Sequence, residues 1–382
     1  MDGSLVACDW PPMTLAELRA LFACLSGCGE PLQILSVSPR PFSAACVVQT
    51  TTGRVFVKRH PHSVRTVEGL EEEHRFMAHL RQHGAPVPHV YCDRKGHTAH
   101  AQDAWTCEVH EVPQGVDAYA EAISWTPFES CAHARSAGTL LARMHLAAAS
   151  YNAPARPVQP LVASFSIFAA TDPSLALEDY LAARPALAHH AKTRACAAKA
   201  LKLLAPFAGE LQPLRSALTP LWTHNDLHPS NILWSDNTLA ATAVAAIDFG
   251  LADRTCAMHD LAHAIERSIV EWLTLINDPA HPEAVAIHFD HLDALLAGYE
   301  SVRPLCREEA AALAPMLALC HAEFALTEAD YFLGPLQDEF RAPAAYDAYL
   351  LGHAQWFRGP GTKLIAALRT WAARRTAIEV AQ

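Results

Sequence analysis

The chain has 382 residues, of which 51% are hydrophobic and 18% charged, and its formal net charge at pH 7 is −11. This length corresponds to about two or three domains of ordinary size, and the apolar half excludes an intrinsically disordered chain. No apolar run of the ~18–20 residues needed to span a membrane and no secretory signal are evident, so we expect a cytoplasmic protein.

The first 112 residues predict an antiparallel sheet with two helices. Thr14 and Glu17 form a capping-box pattern at the start of the first helix. A second, longer helix is predicted from Val64 to His83, where Gly84 ends it. The predicted strands lie at residues 33–38, 44–50, 54–59, 90–91 and 105–112.

Beyond residue 117 the apolar spacing is mostly helical. Helices are predicted at residues 131–149, 175–182, 191–207 and 211–218, and a compact region of strands and loops follows at 221–258. The fold class is therefore α+β, with two lobes. Residues 1–110 form a small antiparallel-sheet lobe, and residues 111–382 form a large, mainly helical lobe.

A polar loop between apolar residues carries the chemistry. It reads HNDLHPSN (residues 224–231), and the tetrapeptide IDFG follows at residues 247–250. In phosphoryl transfer a carboxylate orients the acceptor hydroxyl and takes its proton, a role open to Asp226. Nucleoside triphosphates arrive with Mg²⁺, which prefers oxygen ligands such as those of Asn231 and Asp248.

A cation is also needed to contact the phosphates of the nucleotide. Lys58 lies on a predicted strand beside the long helix and can supply that charge. Glu73 on the helix can hold the lysine in place. The sequence therefore predicts an ion pair between Lys58 and Glu73.

The HNDLHPSN and IDFG motifs, with DLA at residues 260–262, are similar to the motifs of the aminoglycoside phosphotransferase/choline kinase superfamily. The similarity covers about residues 30–330, and the superfamily includes homoserine kinase type II-like small-molecule kinases. It implies a bilobal protein-kinase-like fold and ATP-dependent transfer of the γ-phosphate to a hydroxyl. The implied acceptor is a small molecule: an amino alcohol, an aminoglycoside or a homoserine-like compound.

The resemblance also implies a role for each matching residue. Asp226 is the catalytic base, Asn231 and Asp248 hold Mg²⁺, and Lys58 contacts the α- and β-phosphates and pairs with Glu73.

Four further positions receive roles from the same resemblance. His224 supports the catalytic loop, and Asp260 ties that loop to the following helix. Strand 105–112 and its continuation form the hinge, where the backbone, including that of Glu108 and His110, contacts adenine.

Two features depart from protein kinases. The phosphate-covering loop, residues 36–43, contains no glycine, so the backbone N–H groups of Ser43 and Ala44 are expected to bind phosphate instead. Asp260 lies only twelve positions after Asp248, which leaves no room for a long activation loop.

Three alternative functions stay open at this level. The chain could be a protein serine/threonine kinase of the same fold. It could be a zinc metallohydrolase that uses His224, Asp226 and His228 as ligands. It could also be a nucleotide-binding scaffold without turnover, although the residues required for transfer are all present.

The charge distribution bears on the partners. Residues 1–100 contain 10 basic and 9 acidic residues, whereas the remaining 282 contain 19 and 31. We therefore expect no binding to nucleic acid or membranes, and an acidic cleft that favours a cationic acceptor. The oligomeric state is left open. Candidate acceptor contacts in residues 265–360 are Glu266, Glu271, Glu323, Glu328, Asp330 and Tyr331.

Overall fold

The computed structural model describes residues 8–380 and begins with a five-stranded antiparallel sheet. The spatial order of the strands is β1-β2-β3-β5-β4. Their bounds are β1 Pro31–Val37, β2 Ala44–Thr50, β3 Arg54–Pro61, β4 Ala99–Gln102 and β5 Trp105–Glu111. This sheet has the antiparallel arrangement that the alternating apolar residues predicted.

Two helices accompany the sheet. Helix α1 (Leu15–Phe22) starts at the predicted capping box, because the Thr14 hydroxyl accepts the Glu17 N–H and Glu17 accepts the Thr14 N–H. The side chains of α1 pack on one face of the sheet and form a small core. Helix α2 (Val67–Gln82) is the long helix expected beside the lysine strand.

The edge of the sheet differs from the prediction. Residues 90–91 do not form a strand, and Val90 makes only an isolated bridge to His110. The edge strand is β4, which pairs with β5 in antiparallel register. Its four residues read AHAQ and contain no β-branched or aromatic side chain, so the usual sequence signal of a strand is missing.

The remainder of the chain is mainly helical. The helices are α3 Cys131–Ala148, α4 Pro173–Ala182, α5 Pro185–Ala188, α6 Ala191–Leu211, α7 Ala257–Ile269, α8 Trp272–Asn277, α9 Phe289–Glu300, α10 Arg307–Leu319, α11 His321–Leu333, α12 Gly352–Arg358 and α13 Thr362–Val380. Residues 212–217 form a 3₁₀-helix where a separate α-helix was expected, and a π-helical segment covers Ala344–Leu351.

Two short two-stranded sheets interrupt the helices and present the motif residues. One pairs β6 (Pro220–Thr223) with β9 (Asp253–Cys256), and the other pairs β7 (Ile232–Trp234) with β8 (Ala243–Ala246). The HNDLHPSN loop joins β6 to β7, and the IDFG segment follows β8. These two sheets bring the two motifs side by side.

A large core fills the helical part and extends into α2. Phe76 of α2 packs against Trp222 at 5.3 Å and against Phe249 at 6.0 Å between ring centroids. This contact couples the helix beside the sheet to both motif loops. The small sheet lobe therefore shares a core with the region that carries the chemistry.

One apolar stretch is longer than the sequence analysis recognised. Residues 307–333, which form α10 and α11, reach a mean hydropathy of 1.4 over an 18-residue window and are long enough to cross a membrane. However, 94% of that window is buried inside the protein. These helices are the central helices of the large core, where apolar side chains are expected on every face.

Candidate active site

The HNDLHPSN loop is anchored by a buried carboxylate at the start of α7. Asp260 accepts hydrogen bonds from the backbone N–H of His224 at 2.9 Å and of Asn225 at 2.8 Å. The imidazole of His145 lies 3.0 Å from the same carboxylate. Burial acts to raise the pKa of Asp260, but His145 and the backbone N–H groups hold it below its usual value. Asp260 thus connects the start of the HNDLHPSN loop to α7.

His224 supports the loop through both ring nitrogens. Its Nε2 lies 3.0 Å from the carbonyl of Ile247, and its Nδ1 accepts the backbone N–H of Asp226 at 3.2 Å. The ring therefore links the two motif segments. Because both nitrogens face backbone groups, they do not converge with His228 on a metal. The zinc-ligand arrangement of His224, Asp226 and His228 was wrong.

Asp226 lies at the centre of the site and is almost fully buried, with 8% exposure. Asn231 donates to its Oδ2 at 3.1 Å, and the Arg267 guanidinium lies 3.4 Å from its Oδ1. Burial raises the pKa of Asp226 to about 6, although the charge of Arg267 opposes the rise. The group is therefore mostly ionised at neutral pH and still basic enough to accept a proton.

Backbone strain marks the two motif loops. Asn225 and Asp248 both have φ +61, in the left-handed region that residues other than glycine rarely adopt. Such positions cost about 1–3 kcal/mol each and persist where surrounding contacts impose them. At Asn225 the imposed contacts include side-chain hydrogen bonds to Thr223 and to the carbonyl of Ala163.

Asn231 and Asp248 offer oxygen atoms to the cleft between the loops. The Asn231 amide nitrogen faces Asp226, which turns its oxygen away from that bond, and the side chain of Asp248 keeps 43% exposure. The backbone N–H of Ile247 donates to the Asn231 carbonyl at 2.9 Å and joins the two segments. An amide oxygen and a carboxylate fit the preference of Mg²⁺ for hard oxygen ligands.

Lys58 bonds to Asp248 and not to the predicted glutamate. The distance from its Nζ to Asp248 Oδ1 is 2.9 Å. Although burial acts to raise it, the Lys58 ammonium holds the pKa of Asp248 at about 2. Among the described residues Lys58 forms no ion pair with Glu73, which lies 3.8 Å from Arg156. The predicted Lys58–Glu73 pair is not formed, because the lysine ammonium bonds to Asp248, and the nearest cation to Glu73 is Arg156.

The predicted adenine contacts lie inside a strand. Glu108 is flanked on both sides, by Lys58 of β3 and Ala99 of β4, and His110 is flanked by Phe56 and Val90. The backbone N–H and C=O groups of these two residues therefore face neighbouring segments of the chain on both sides of the strand. The assignment of adenine contacts to Glu108 and His110 was therefore wrong, and the chain leaves the sheet only after residue 111.

The glycine-free loop contains a basic residue that the sequence analysis missed. Arg40 donates to the carbonyl of Ala122 at 3.0 Å and approaches the Ser124 hydroxyl at 3.3 Å. Burial lowers the pKa of Arg40, and the charges of Asp117, Asp248 and Asp226 act to raise it, that of Asp117 most strongly. The charges of the two site carboxylates thus reach the guanidinium. The buried Ser43 and Ala44 lie just behind it, where the loop enters β2.

Two more arginines support the IDFG segment. Arg65 and Arg156 both donate to the carbonyl of Gly250, at 2.9 and 3.1 Å. Arg156 also donates to the carbonyl of Gly69 in α2. Neither arginine belongs to a recognisable motif, so only the folded chain shows that they connect α2 to the residues after Asp248.

Most of the candidate acceptor contacts have structural partners. Glu323 accepts from Ser164, Ser166 and the Ile167 N–H, and the Tyr331 hydroxyl donates to Asp9. The remaining pairs are Glu266 with His353 at 2.8 Å and Glu271 with His288 at 2.9 Å.

Asp330 and Glu328 are the other two acidic candidates. Burial raises the pKa of Asp330 to about 6, with the charge of Arg184 opposing the rise. Burial also raises the pKa of Glu328 to about 7; Arg267 opposes that rise and Asp226 adds to it. Glu328 is thus close enough to Asp226 for the charge of Asp226 to act on it.

Comparison with known proteins gives a family match and several structural relatives. A family model described as a phosphotransferase enzyme family matches residues 41–305. A microcompartment-associated aminopropanol kinase is similar in structure at 17% identity, with a TM-score of 0.57 and coverage of 90% of this chain and 96% of that one. No curated protein matches the sequence significantly.

Two further solved structures are similar over most of their length. A spectinomycin phosphotransferase in complex with ADP and spectinomycin is 11% identical, with a TM-score of 0.51 and coverage of 90% of this chain and 98% of that one. An amicoumacin kinase in complex with AMP-PNP and Ca²⁺ is 14% identical, with a TM-score of 0.50 and coverage of 92% and 90%. At these identities the likeness shows the fold, and it confirms the predicted α+β, protein-kinase-like architecture.

Proposed function

We propose that this chain, which belongs to the phosphotransferase enzyme family, transfers the γ-phosphate of ATP to a hydroxyl of a small molecule. The observation that carries the proposal is the grouping of four side chains around one cleft. Asp226 and Asn231 come from the loop between β6 and β7, Asp248 from the segment after β8, and Lys58 from β3.

Asp226 has the geometry of a general base. Its Oδ2 is held by Asn231, and its Oδ1 is paired with the Arg267 guanidinium at 3.4 Å without a hydrogen bond among the described residues. The hydroxyl of an acceptor can donate to Oδ1, so that Asp226 orients it and takes its proton as the new O–P bond forms. A base of this kind contributes about 10²–10⁴-fold to the rate.

Asn231 and Asp248 would hold Mg²⁺ through their side-chain oxygens. When bound, that ion neutralises charge that develops on the transferred phosphoryl group. Lys58 lies on the other side of Asp248 and can turn to the phosphates when the nucleotide arrives. The preformed bond from Lys58 to Asp248 keeps both charges in the cleft before that happens.

A small acceptor is supported by the short connection after the IDFG segment. Strand β9 begins at Asp253 and α7 begins at Ala257 immediately after it. A protein kinase needs a longer segment here to dock a polypeptide substrate.

The acceptor is proposed to be a hydroxyl compound that carries an amine. Glu328 supplies a carboxylate near Asp226, and Arg267 is held beside it by stacking on Trp125 and Phe324 at 4.7 and 5.0 Å. The ammonium of an acceptor would pair with Glu328 while its hydroxyl reaches Asp226. A reducing, cytoplasmic location is also proposed, since all eleven cysteines are free thiols.

The proposal is tested by a screen for ADP release. The full-length chain would be incubated with ATP, Mg²⁺ and a panel of amino alcohols, aminoglycosides and hydroxy amino acids, and phosphate esters would be identified by ³¹P NMR. We expect turnover with at least one amine-bearing hydroxyl compound. Transfer only to protein serines, or stoichiometric production of free phosphate with every compound, would contradict the proposal.

A further inference from the structure

A cluster of histidines surrounds one buried carboxylate of the five-stranded sheet. Glu108 in β5 has 1% exposure. Its Oε2 lies 2.7 Å from Nε2 of His74 and 2.7 Å from Nε2 of His110. Its Oε1 lies 3.3 Å from Nε2 of His60. Three imidazoles from three elements therefore converge on one carboxylate.

The phosphoryl-transfer site uses none of these side chains. His74 lies on α2, His60 on β3, and Glu108 and His110 on β5. The cluster thus joins the long helix to the sheet. The cluster adjoins the cleft, since Glu108 is directly opposite Lys58 in the strand register.

We propose that His74, Glu108 and His110 form a binding site for a divalent transition-metal ion of the zinc type. The donor atoms of these three residues all lie within 4.8 Å of one another. Two imidazole nitrogens and one carboxylate are ligands that suit zinc, whereas magnesium and calcium select oxygen. Three protein ligands leave the fourth tetrahedral position to water.

The surroundings provide the support that metal-ligating histidines need. Nδ1 of His74 lies 2.9 Å from the Thr98 hydroxyl, which fixes the ring with Nε2 directed at the carboxylate. Nδ1 of His60 is buried with no hydrogen-bond partner among the described residues. His110 is the most accessible ligand, with 12% side-chain exposure, and provides the entry path.

Binding requires a small and specific rearrangement. Zinc bonds to nitrogen are about 2.0–2.1 Å long, so neighbouring tetrahedral ligand atoms lie about 3.3 Å apart. The Nε2–Oε2 separations of 2.7 Å would therefore widen by about half an ångström. Each imidazole would carry its proton on Nδ1 in place of Nε2, and His74 would then donate to Thr98.

A bound metal ion would link α2 to β5 whether or not a nucleotide is present. Because Lys58 is opposite Glu108 in the register, a metal here would stiffen the strand that presents the phosphate-binding lysine. The site is distinct from the Mg²⁺ position at Asn231 and Asp248 and differs from it in ligand type. It does not rest on the proposed transfer reaction.

The test is direct zinc binding to the full-length protein. After treatment with a chelator and its removal, the protein would be titrated with Zn²⁺ by calorimetry. We expect one equivalent to bind, with at least tenfold weaker binding in His110→Ala and His74→Ala. His97→Ala is the matched control, because His97 is exposed and pairs with Glu71 outside the cluster.

A second candidate group must be separated from the first. Cys131, Asp290 and His291 also lie within reach of one ion, and Cys131 is exposed. The variant Cys131→Ser is therefore titrated in parallel, and Co²⁺ replaces Zn²⁺ in an absorption spectrum that reveals any thiolate ligand. Far-UV circular dichroism checks folding. Since His110 is partly exposed, its variant decides the question if His74→Ala fails to fold.

Each outcome decides for or against the site. The proposal is supported if one equivalent of zinc binds to Cys131→Ser but not to His110→Ala. The Co²⁺ spectrum should then show no thiolate absorption. Absence of stoichiometric zinc binding overturns it and leaves the cluster as a hydrogen-bond network. Equal binding in His110→Ala, or binding lost only in Cys131→Ser, overturns it as well.

Discussion

Replacement of Asp260 by asparagine is a sharp test of how the catalytic loop is held. The carboxylate is fully buried and accepts three hydrogen bonds, from His224 N–H, Asn225 N–H and His145. The asparagine oxygen can replace Oδ2 and keep two of these bonds. Its NH₂ group would then face the Asn225 N–H, and two donors would meet in the interior.

The expected decrease in the free energy of unfolding follows from the loss of this hydrogen bond. A hydrogen bond to a charged acceptor contributes about 1.5–3 kcal/mol, and a buried unsatisfied N–H costs about 1–3 kcal/mol. Because these contributions overlap, Asp260→Asn should lower the free energy of unfolding by about 2–5 kcal/mol. Activity should fall by about 10²-fold, since a displacement of ~1 Å of the loop misaligns Asp226.

The assay is urea denaturation followed by tryptophan fluorescence, with kcat measured on the same preparations. Asp293→Asn is the matched control, because Asp293 is an exposed residue of α9. It should change stability by no more than about 0.5 kcal/mol. If Asp260→Asn is as stable and as active as the control, the buried carboxylate does not hold the loop.

Three further predictions concern the cleft. Burial raises the pKa of Asp226 to about 6, so kcat/KM for the acceptor should fall about tenfold per pH unit below pH ~6 and level off above it. A flat pH profile would contradict the role of Asp226 as the base. Arg40→Ala should raise the KM for ATP about tenfold, measured at saturating acceptor, because the loop loses its charged donor. Glu328→Gln should raise the KM for amine-bearing acceptors about tenfold and leave that for ATP unchanged, as measured by ADP release.

Matched controls separate these effects from general loss of charge. Arg54→Ala removes an exposed arginine from β3, and Glu308→Gln neutralises an exposed glutamate on α10. Neither should change the KM for ATP or for acceptor. An effect of Arg54→Ala equal to that of Arg40→Ala would refute a specific role for the loop arginine. An unchanged acceptor KM in Glu328→Gln would remove that residue from the acceptor site.

The pH dependence of stability has opposite signs for two cleft carboxylates. The pKa of Asp248 is held at about 2, so its ionised form stabilises the fold above pH ~4, and this contribution is lost as the pH falls through 2. The pKa of Asp226 is raised, so its contribution is present below pH ~4 and lost as the pH rises through about 6. The site thus retains Asp226 as a base at some cost in stability.

The motif residues could be predicted from sequence because their chemistry is local. Asp226 and Asn231 share one loop, and Asp248 follows a short strand. The side-chain partners could not be predicted, because they come from distant segments. Arg156 lies in a proline-rich stretch and takes the place beside Glu73 that was expected for Lys58.

The same limit applies to the helical lobe and to the sheet edge. Glu323 was a reasonable acceptor contact until the fold placed two serines and a backbone N–H around it. The short edge strand at residues 99–102 lacks apolar alternation, so only its pairing with β5 identifies it. Arg40 carries no sequence signal, since its position over the cleft depends on how the β1–β2 loop folds.

The central claim is that Asp226 acts as the base in phosphoryl transfer. The most direct measurement compares Asp226→Asn with the unaltered chain. For each protein, the affinity for ATP in the presence of Mg²⁺ is measured by calorimetry, and formation of the phosphate ester is measured by mass spectrometry on the same preparation. We predict that ATP affinity changes less than about threefold while ester formation falls by about 10²–10⁴-fold. Undiminished ester formation in Asp226→Asn would contradict the claim.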